Sequence, residues 1–169
     1  MMAFSLISLL FPCSGFSATG NTDTATITIT GRVRDATCSF DKSDYPLTLA
    51  DVSPSDFTGV GVINQTKLVV DLSCGPDASG VKIKVSGSPD PTQNSVFANK
   101  GDATGVGIQV RDQKGNIMLP AGSSTADTLV VDNSTYKATY SFYIGYEKVG
   151  SSVTGGSVST VLNLVFDYM

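Results

Sequence analysis

The sequence has no histidine and no tryptophan, holds three cysteines in 169 residues, and carries charge on 15% of its side chains. Without histidine there is no proton shuttle near neutral pH, no Ser-His or Cys-His nucleophile pair, and none of the commonest transition-metal ligand. Most hydrolase and metalloenzyme mechanisms are excluded on that ground, and neither an enzymatic activity, a cofactor nor a small-molecule substrate is expected. Eleven basic residues against fifteen acidic ones give a net charge of -4. No basic block occurs, so phosphate neutralisation, the main source of nucleic-acid affinity, has no footing and no nucleic-acid partner is expected. What is abundant is Ser (21), Thr (18), Val (18) and Gly (17). These are strand formers and turn formers, and the length suits one all-β domain.

Residues 3–11 form an apolar run far shorter than the roughly 20 residues that cross a bilayer, and Pro12, Ser14 and Gly15 break it before small residues follow. The reading is a secretory signal peptide over 1–18, which takes Cys13 with it. Two cysteines remain, Cys38 and Cys74. An even count in a chain bound for an oxidising compartment makes one disulfide the default. A metal pair has neither CxxC spacing nor histidine to support it. Closing that loop stabilises a fold by about 4 kcal/mol in the chain-entropy account.

The rest of the chain alternates apolar and polar residues in short runs between turn clusters such as Gly75-Pro76-Asp77 and Lys114-Gly115-Asn116. Leu68, Val70, Leu72 and Cys74 share one face of a strand. Val81, Ile83 and Val85 alternate with Lys82 and Lys84. Val106, Ile108 and Val110 lead through a turn at 112–116 into a second hairpin strand at 117–119. Ala138, Tyr140, Phe142, Ile144 and Tyr146 share a face, and the last strand, 158–168, places Val158, Leu162, Leu164, Phe166 and Tyr168 on one side. Several short strands with one buried disulfide point to a two-sheet sandwich of the immunoglobulin type.

The N-terminal segment departs from this. Ala25, Ile27, Ile29, Gly31 and Val33 are odd-numbered, whereas Ala36, Cys38 and Phe40 are even-numbered. Side chains alternate strictly along a strand, so the change of parity means either a bulge in one edge strand or two stretches buried against different bodies.

In four places, in order, the sequence resembles the fimbrial subunits (pilins) of the bacterial chaperone-usher pathway, most of all the minor subunits of type 1 fimbriae. Segment 26–38, TITITGRVRDATC, resembles their N-terminal extension and first cysteine, and 72–75, LSCG, the strand end with the second. Segment 104–112, TGVGIQVRD, resembles their central hairpin. The C-terminus has the alternating pattern, the penultimate Tyr168, and Gly156 at the expected distance. The resemblance implies an incomplete immunoglobulin-like sandwich that lacks its last strand and is completed in trans by a donated one. It implies a donor extension over 19–34, with Ile27, Ile29, Gly31 and Val33 facing a neighbour, and a pilin domain over 35–169. Gly156, Val158, Leu162, Leu164, Phe166, Tyr168 and the carboxylate of Met169 would form the acceptor groove and the chaperone contact. The implied partners are neighbouring fimbrial subunits, a periplasmic chaperone and an outer-membrane usher. The implied destination is a surface fimbria that serves cell adhesion, reached through the periplasm. Two other readings are a sugar-binding fimbrial adhesin and a free-standing secreted sandwich. The first meets a chain with no room for a second domain and no tryptophan to stack on a sugar.

Remaining constellations read as structure. Asp35, Asp41, Asp44, Asp51 and Asp56 fit no calcium-loop spacing and suit solvated turns. The pairs Gly59/Gly61 and Gly105/Gly107 lack the third glycine of a dinucleotide site and read as punctuation of turns and strands.

Overall fold

The computed structural model describes residue 30 and residues 37–59, 61–78 and 81–168, with side chains described for these except 123–128, 167 and 168. The signal segment and Ile27, Ile29, Gly31, Val33 and Met169 lie outside the described residues.

Seven strands form two antiparallel sheets: β1 (Cys38–Phe40), β2 (Ile63–Cys74), β3 (Val81–Gly87), β4 (Val106–Arg111), β5 (Ala121–Thr128), β6 (Lys137–Lys148) and β7 (Leu162–Tyr168). One sheet has the order β1-β2-β6-β4 and the other β5-β3-β7. Alternation explains the core. Val70 and Leu72, Tyr140, Phe142 and Ile144, and Val106, Ile108 and Val110 are buried from the first sheet, and Val81, Ile83 and Val85 face them from the second. The expected all-β, immunoglobulin-like sandwich is therefore what the chain forms.

Cys38 and Cys74 are disulfide-bonded, with Cα atoms 3.9 Å apart. They are directly opposed in the β1–β2 ladder. The bond thus ties neighbouring strands of one sheet, and it fastens a three-residue strand that its own ladder would hold weakly.

Two expectations need correction. Residues 117–119 are not a strand. The 112–116 turn forms, with the buried Asp112 carboxylate accepting from the backbone N–H groups of Lys114 and Asn116, but the chain then makes only a bridge from Ile117 to Arg111 and a Met118 N–H bond to the Val110 carbonyl. The strand forms later, at β5, where the sequence AGSSTADT has no apolar alternation to announce it. Likewise the last ladder begins at Leu162, not at 158. Residues 157–159 instead bond sideways to another loop: Lys100 N–H to the Ser159 carbonyl, Ala103 N–H to the Ser157 carbonyl, and Ser159 N–H to Asn99 Oδ1.

Gly105 and Gly107 act as the punctuation expected. Gly105 has φ +69°, and a Cβ there would lie 1.9 Å from the Ser152 carbonyl oxygen.

Candidate functional site: a groove between two sheet edges

Each sheet has two edges, and three of the four are blunted. Along β4, Phe97 and Ile108 exchange both backbone hydrogen bonds, and Met118 adds another to Val110. The β3–β5 ladder shifts register twice, which bends β5 out of a regular strand. Strand β1 is only three residues long. By contrast, β7 pairs with β3 in seven unbroken steps, from Val81↔Tyr168 to Gly87↔Leu162. Among the described residues nothing pairs with its other edge.

The side chains of β7 report the same gap. Leu162, Leu164 and Phe166 pack against the core yet remain half-buried. Asn163 and Val165 face outward, Val165 with 47% of its surface exposed. Among the described residues no further strand covers this inward apolar row.

A second wall faces this gap. Tyr45, Leu47, Leu49 and Val52 are half-buried against the core, while Pro46, Thr48, Ala50 and Asp51 are exposed. This is strand-like alternation, but residues 42–52 belong to no ladder. Among the described residues no backbone–backbone hydrogen bond involves them; Asn64 Nδ2 donates to the Ala50 carbonyl at 2.8 Å. Backbone donors and acceptors beside an apolar row need partners.

Contacts close the two ends. At one, the rings of Phe40 and Phe166 stack across the sheets with centroids 4.3 Å apart. At the other, Val52, Pro54 and Phe57 meet Gly156 and Val158 around a small cavity of about 50 Å³ floored by Ala103, Val106 and Tyr146. The pairing of 40 with 166 and of 52 with 158 makes the walls antiparallel. A short 3-10 turn, Pro54–Asp56, anchors the second wall with a capping box in which Ser53 and Asp56 exchange side-chain and backbone bonds.

Charge sits at the margins. Asp41, just beyond Phe40, has its pKa lowered by the Ser73 hydroxyl and then by Lys137, whose Nζ lies 3.1 Å away. Tyr146, beneath the cavity, has its pKa raised by burial, with Asp51 adding to the effect. Among the described residues no group of three or more acidic, cysteine or histidine side chains could hold a metal.

The structure gathers most of the residues expected on the acceptor side. Leu162, Leu164 and Phe166 line the groove. Val158 and Gly156 lie at its end, in the sideways-bonded segment and not in the strand. Gly156 has φ +156°, and a Cβ there would come within 2.5 Å of the Ala103 nitrogen. The backbone of Tyr168 completes the β7 ladder opposite Val81. Sequence reasoning missed the second wall altogether, although Tyr45, Leu47 and Leu49 alternate with polar or small residues and could have been found by the same period-2 test.

A model of the family described as fimbrial protein matches residues 27–169. The chain belongs to the fimbrial protein family. Among relatives of this fimbrial subunit, the S-fimbrial protein subunit SfaG of Escherichia coli O6:K15:H31 (strain 536 / UPEC) is 29% identical over 148 residues, covering 84% of this chain and 82% of that one. The P pilus rod subunit PapA has the same fold, with a TM-score of 0.67 and 22% identity over 78% of this chain and 99% of that chain. A chain from the structure of a chaperone-usher pilus gives a TM-score of 0.65 and 22% identity over 88% and 97%. The protein is a fimbrial subunit, a structural component of a surface pilus that assembles with other fimbrial subunits, and not an enzyme.

Proposed function

We propose that this subunit polymerises by strand donation: the groove between 45–52 and β7 accepts the N-terminal segment of the next subunit, and this subunit's own residues 24–33 fill the groove of its neighbour. The observation that carries the reading is an unbroken β7 edge, with which no other strand pairs among the described residues, beside a half-buried apolar row. Ile27, Ile29 and Val33 offer the matching alternation, and Gly31 suits a place where the groove narrows. Before polymerisation a periplasmic chaperone covers the groove and grips the Met169 carboxylate, with Tyr168 setting register, and an outer-membrane usher exchanges chaperone for subunit. The assembled fimbria serves adhesion.

An empty groove is costly. Full exposure of Leu162, Leu164 and Phe166 forfeits roughly 1.5–3 kcal/mol for each side chain, a sum comparable with the stability of a small domain. The decisive experiment compares Leu164→Asp, inside the groove, with Val165→Asp on the outer face of the same strand. The first is expected to abolish chaperone co-purification and assembly, and the second to preserve both. Equal behaviour of the two, or a Leu164→Asp subunit that stays soluble and monomeric without a chaperone, would overturn the reading.

A further inference from the structure

The outer face of the β4–β6 pair holds polar groups that strand donation does not use. Gly107 pairs with Glu147 and Gln109 with Gly145, so Gln109 and Glu147 are diagonal neighbours on that face. The two glycines let other segments close in: a Cβ at 107 would lie 2.5 Å from Val96 Cγ1, and one at 145 would lie 2.7 Å from the Ile63 carbonyl oxygen. Gln109 is left 2% exposed and Glu147 8% exposed. Among the described residues Gln109 Oε1 and Glu147 Oε2 are both buried acceptors without a donor. Such groups are rare in folded proteins because each has given up water for nothing.

Glu147 also lines an open cleft of about 550 Å³ with Thr58, Gly59, Gln93, Lys148 and Gly150. The cleft is built from fixed pieces. The Asp90 carboxylate accepts from the backbone N–H groups of Thr92 and Gln93, and Thr92 Oγ1 donates to the Val149 carbonyl at 2.9 Å. Among the described residues no ion pair joins Lys148 to Glu147. The final torsion of a glutamate is broad, so the carboxylate turns toward the cleft at little cost.

We infer that this cleft binds a cationic group rich in hydrogen-bond donors, an ammonium or guanidinium. A buried carboxylate oxygen on the wall of the cleft, short of donors, calls for N–H groups that carry a positive charge. A divalent ion is a poorer match, since one carboxylate cannot supply the six or more oxygens it needs. An anion is repelled by Glu147 and by the chain's net charge of -4. The cleft shares no lining residue with the cavity at the end of the groove.

The test uses the full chain with its groove occupied, titrated with the Nα-acetylated form of arginine amide and with its uncharged counterpart, Nα-acetylated citrulline amide, and followed by amide chemical shifts at Gly59 and Gly150. Saturable, salt-sensitive shifts with arginine amide are expected, weaker by about tenfold with citrulline amide and in Glu147→Gln, the factor one charge-assisted bond supplies. Should Glu147→Gln fold poorly, Gln93→Ala, which leaves the buried carboxylate in place, is expected to weaken binding also. Sedimentation then separates the sources. Salt-sensitive self-association that disappears in Glu147→Gln assigns the cation to a second copy, and arginine-amide binding without self-association assigns it to another molecule. Equal response to both amides, binding unchanged by Glu147→Gln and Gln93→Ala, or no saturable binding overturns the proposal.

Discussion

Phe40 and Phe166 stack with their ring planes 15° apart, one ring from the edge of each sheet. The contact joins the first strand of the described domain to the last, and it is where the two walls of the groove come together. Both rings are half-buried, so truncating either to alanine should cost about 2–3 kcal/mol, near the bottom of the range for core aromatics. Stacking adds a coupling of about 0.5–1.5 kcal/mol, which a double-mutant cycle on the groove-filled subunit would read by denaturant unfolding. Strict additivity of Phe40→Ala and Phe166→Ala would mean that the rings contribute only through separate burial.

Gly156 and Gly155 make an internal control. A Cβ on Gly156 would meet the Ala103 nitrogen at 2.5 Å and the Asp102 carbonyl carbon at 2.8 Å, both backbone atoms that cannot rotate away, whereas Gly155 has open space around it. Gly156→Ala should destabilise by about 1–3 kcal/mol and Gly155→Ala by no more than about 0.5 kcal/mol. Melting temperatures of the two variants decide this, and similar values would show that the segment relaxes.

The Cys38–Cys74 bond fastens a strand that makes only three ladder pairs. Cys38→Ser should cost about 4 kcal/mol, reduced if the thiol form retains structure, and sharply lower the amount of exported protein. Mass spectrometry after thiol alkylation checks the pairing directly; two free thiols in the mature chain would contradict it.

How much of this could be read from residues depends on whether a stretch announces itself by alternation. Strands β2, β3, β4 and β6 do, because Leu68–Leu72, Val81–Val85, Val106–Val110 and Ala138–Tyr146 each put apolar residues on one parity, and all four formed. Strand β5 does not, since it is an edge of small and hydroxyl side chains held by backbone bonding to β3. Val158, Leu162, Leu164 and Phe166 do pack against the core, as their parity indicates. Whether 157–159 bond along a strand or sideways to Asn99, Lys100 and Ala103 is set by a loop distant in sequence, which periodicity cannot register. The second wall had a visible pattern, but Pro46 and the lack of a ladder partner hid it among turns.

Acid should loosen the first strand. Asp41 has a depressed pKa because the Ser73 hydroxyl and then Lys137 favour its charged form. A group with a lowered folded-state pKa contributes stability above its unfolded value of 3.8 and loses it as pH falls toward the folded one. Asp41 is exposed to solvent, so the effect is small. Unfolding midpoints of the parent and of Asp41→Asn, measured from pH 5 downward, should converge. A constant difference across that range would show that Asp41 acts through shape and not charge.

Residues 24–33 carry the odd parity of Ile27, Ile29, Gly31 and Val33, opposed to the even parity of Cys38 and Phe40, which face the domain's own core. If the first set serves a neighbour, its apolar side chains enter a groove lined by Leu162, Leu164 and Phe166, and a charge there is desolvated without a partner. Ile29→Asp should therefore weaken insertion by several kcal/mol unless the carboxyl protonates, while the domain's own core is untouched. The chaperone-bound monomer should accumulate at its normal level and fail to join a chain, whereas Thr28→Asp, of the other parity, should assemble. Gel separation of heat-stable polymers from monomer distinguishes the cases. Loss of the monomer itself in Ile29→Asp would place this segment in the subunit's own fold, and the change of parity would then be a bulge.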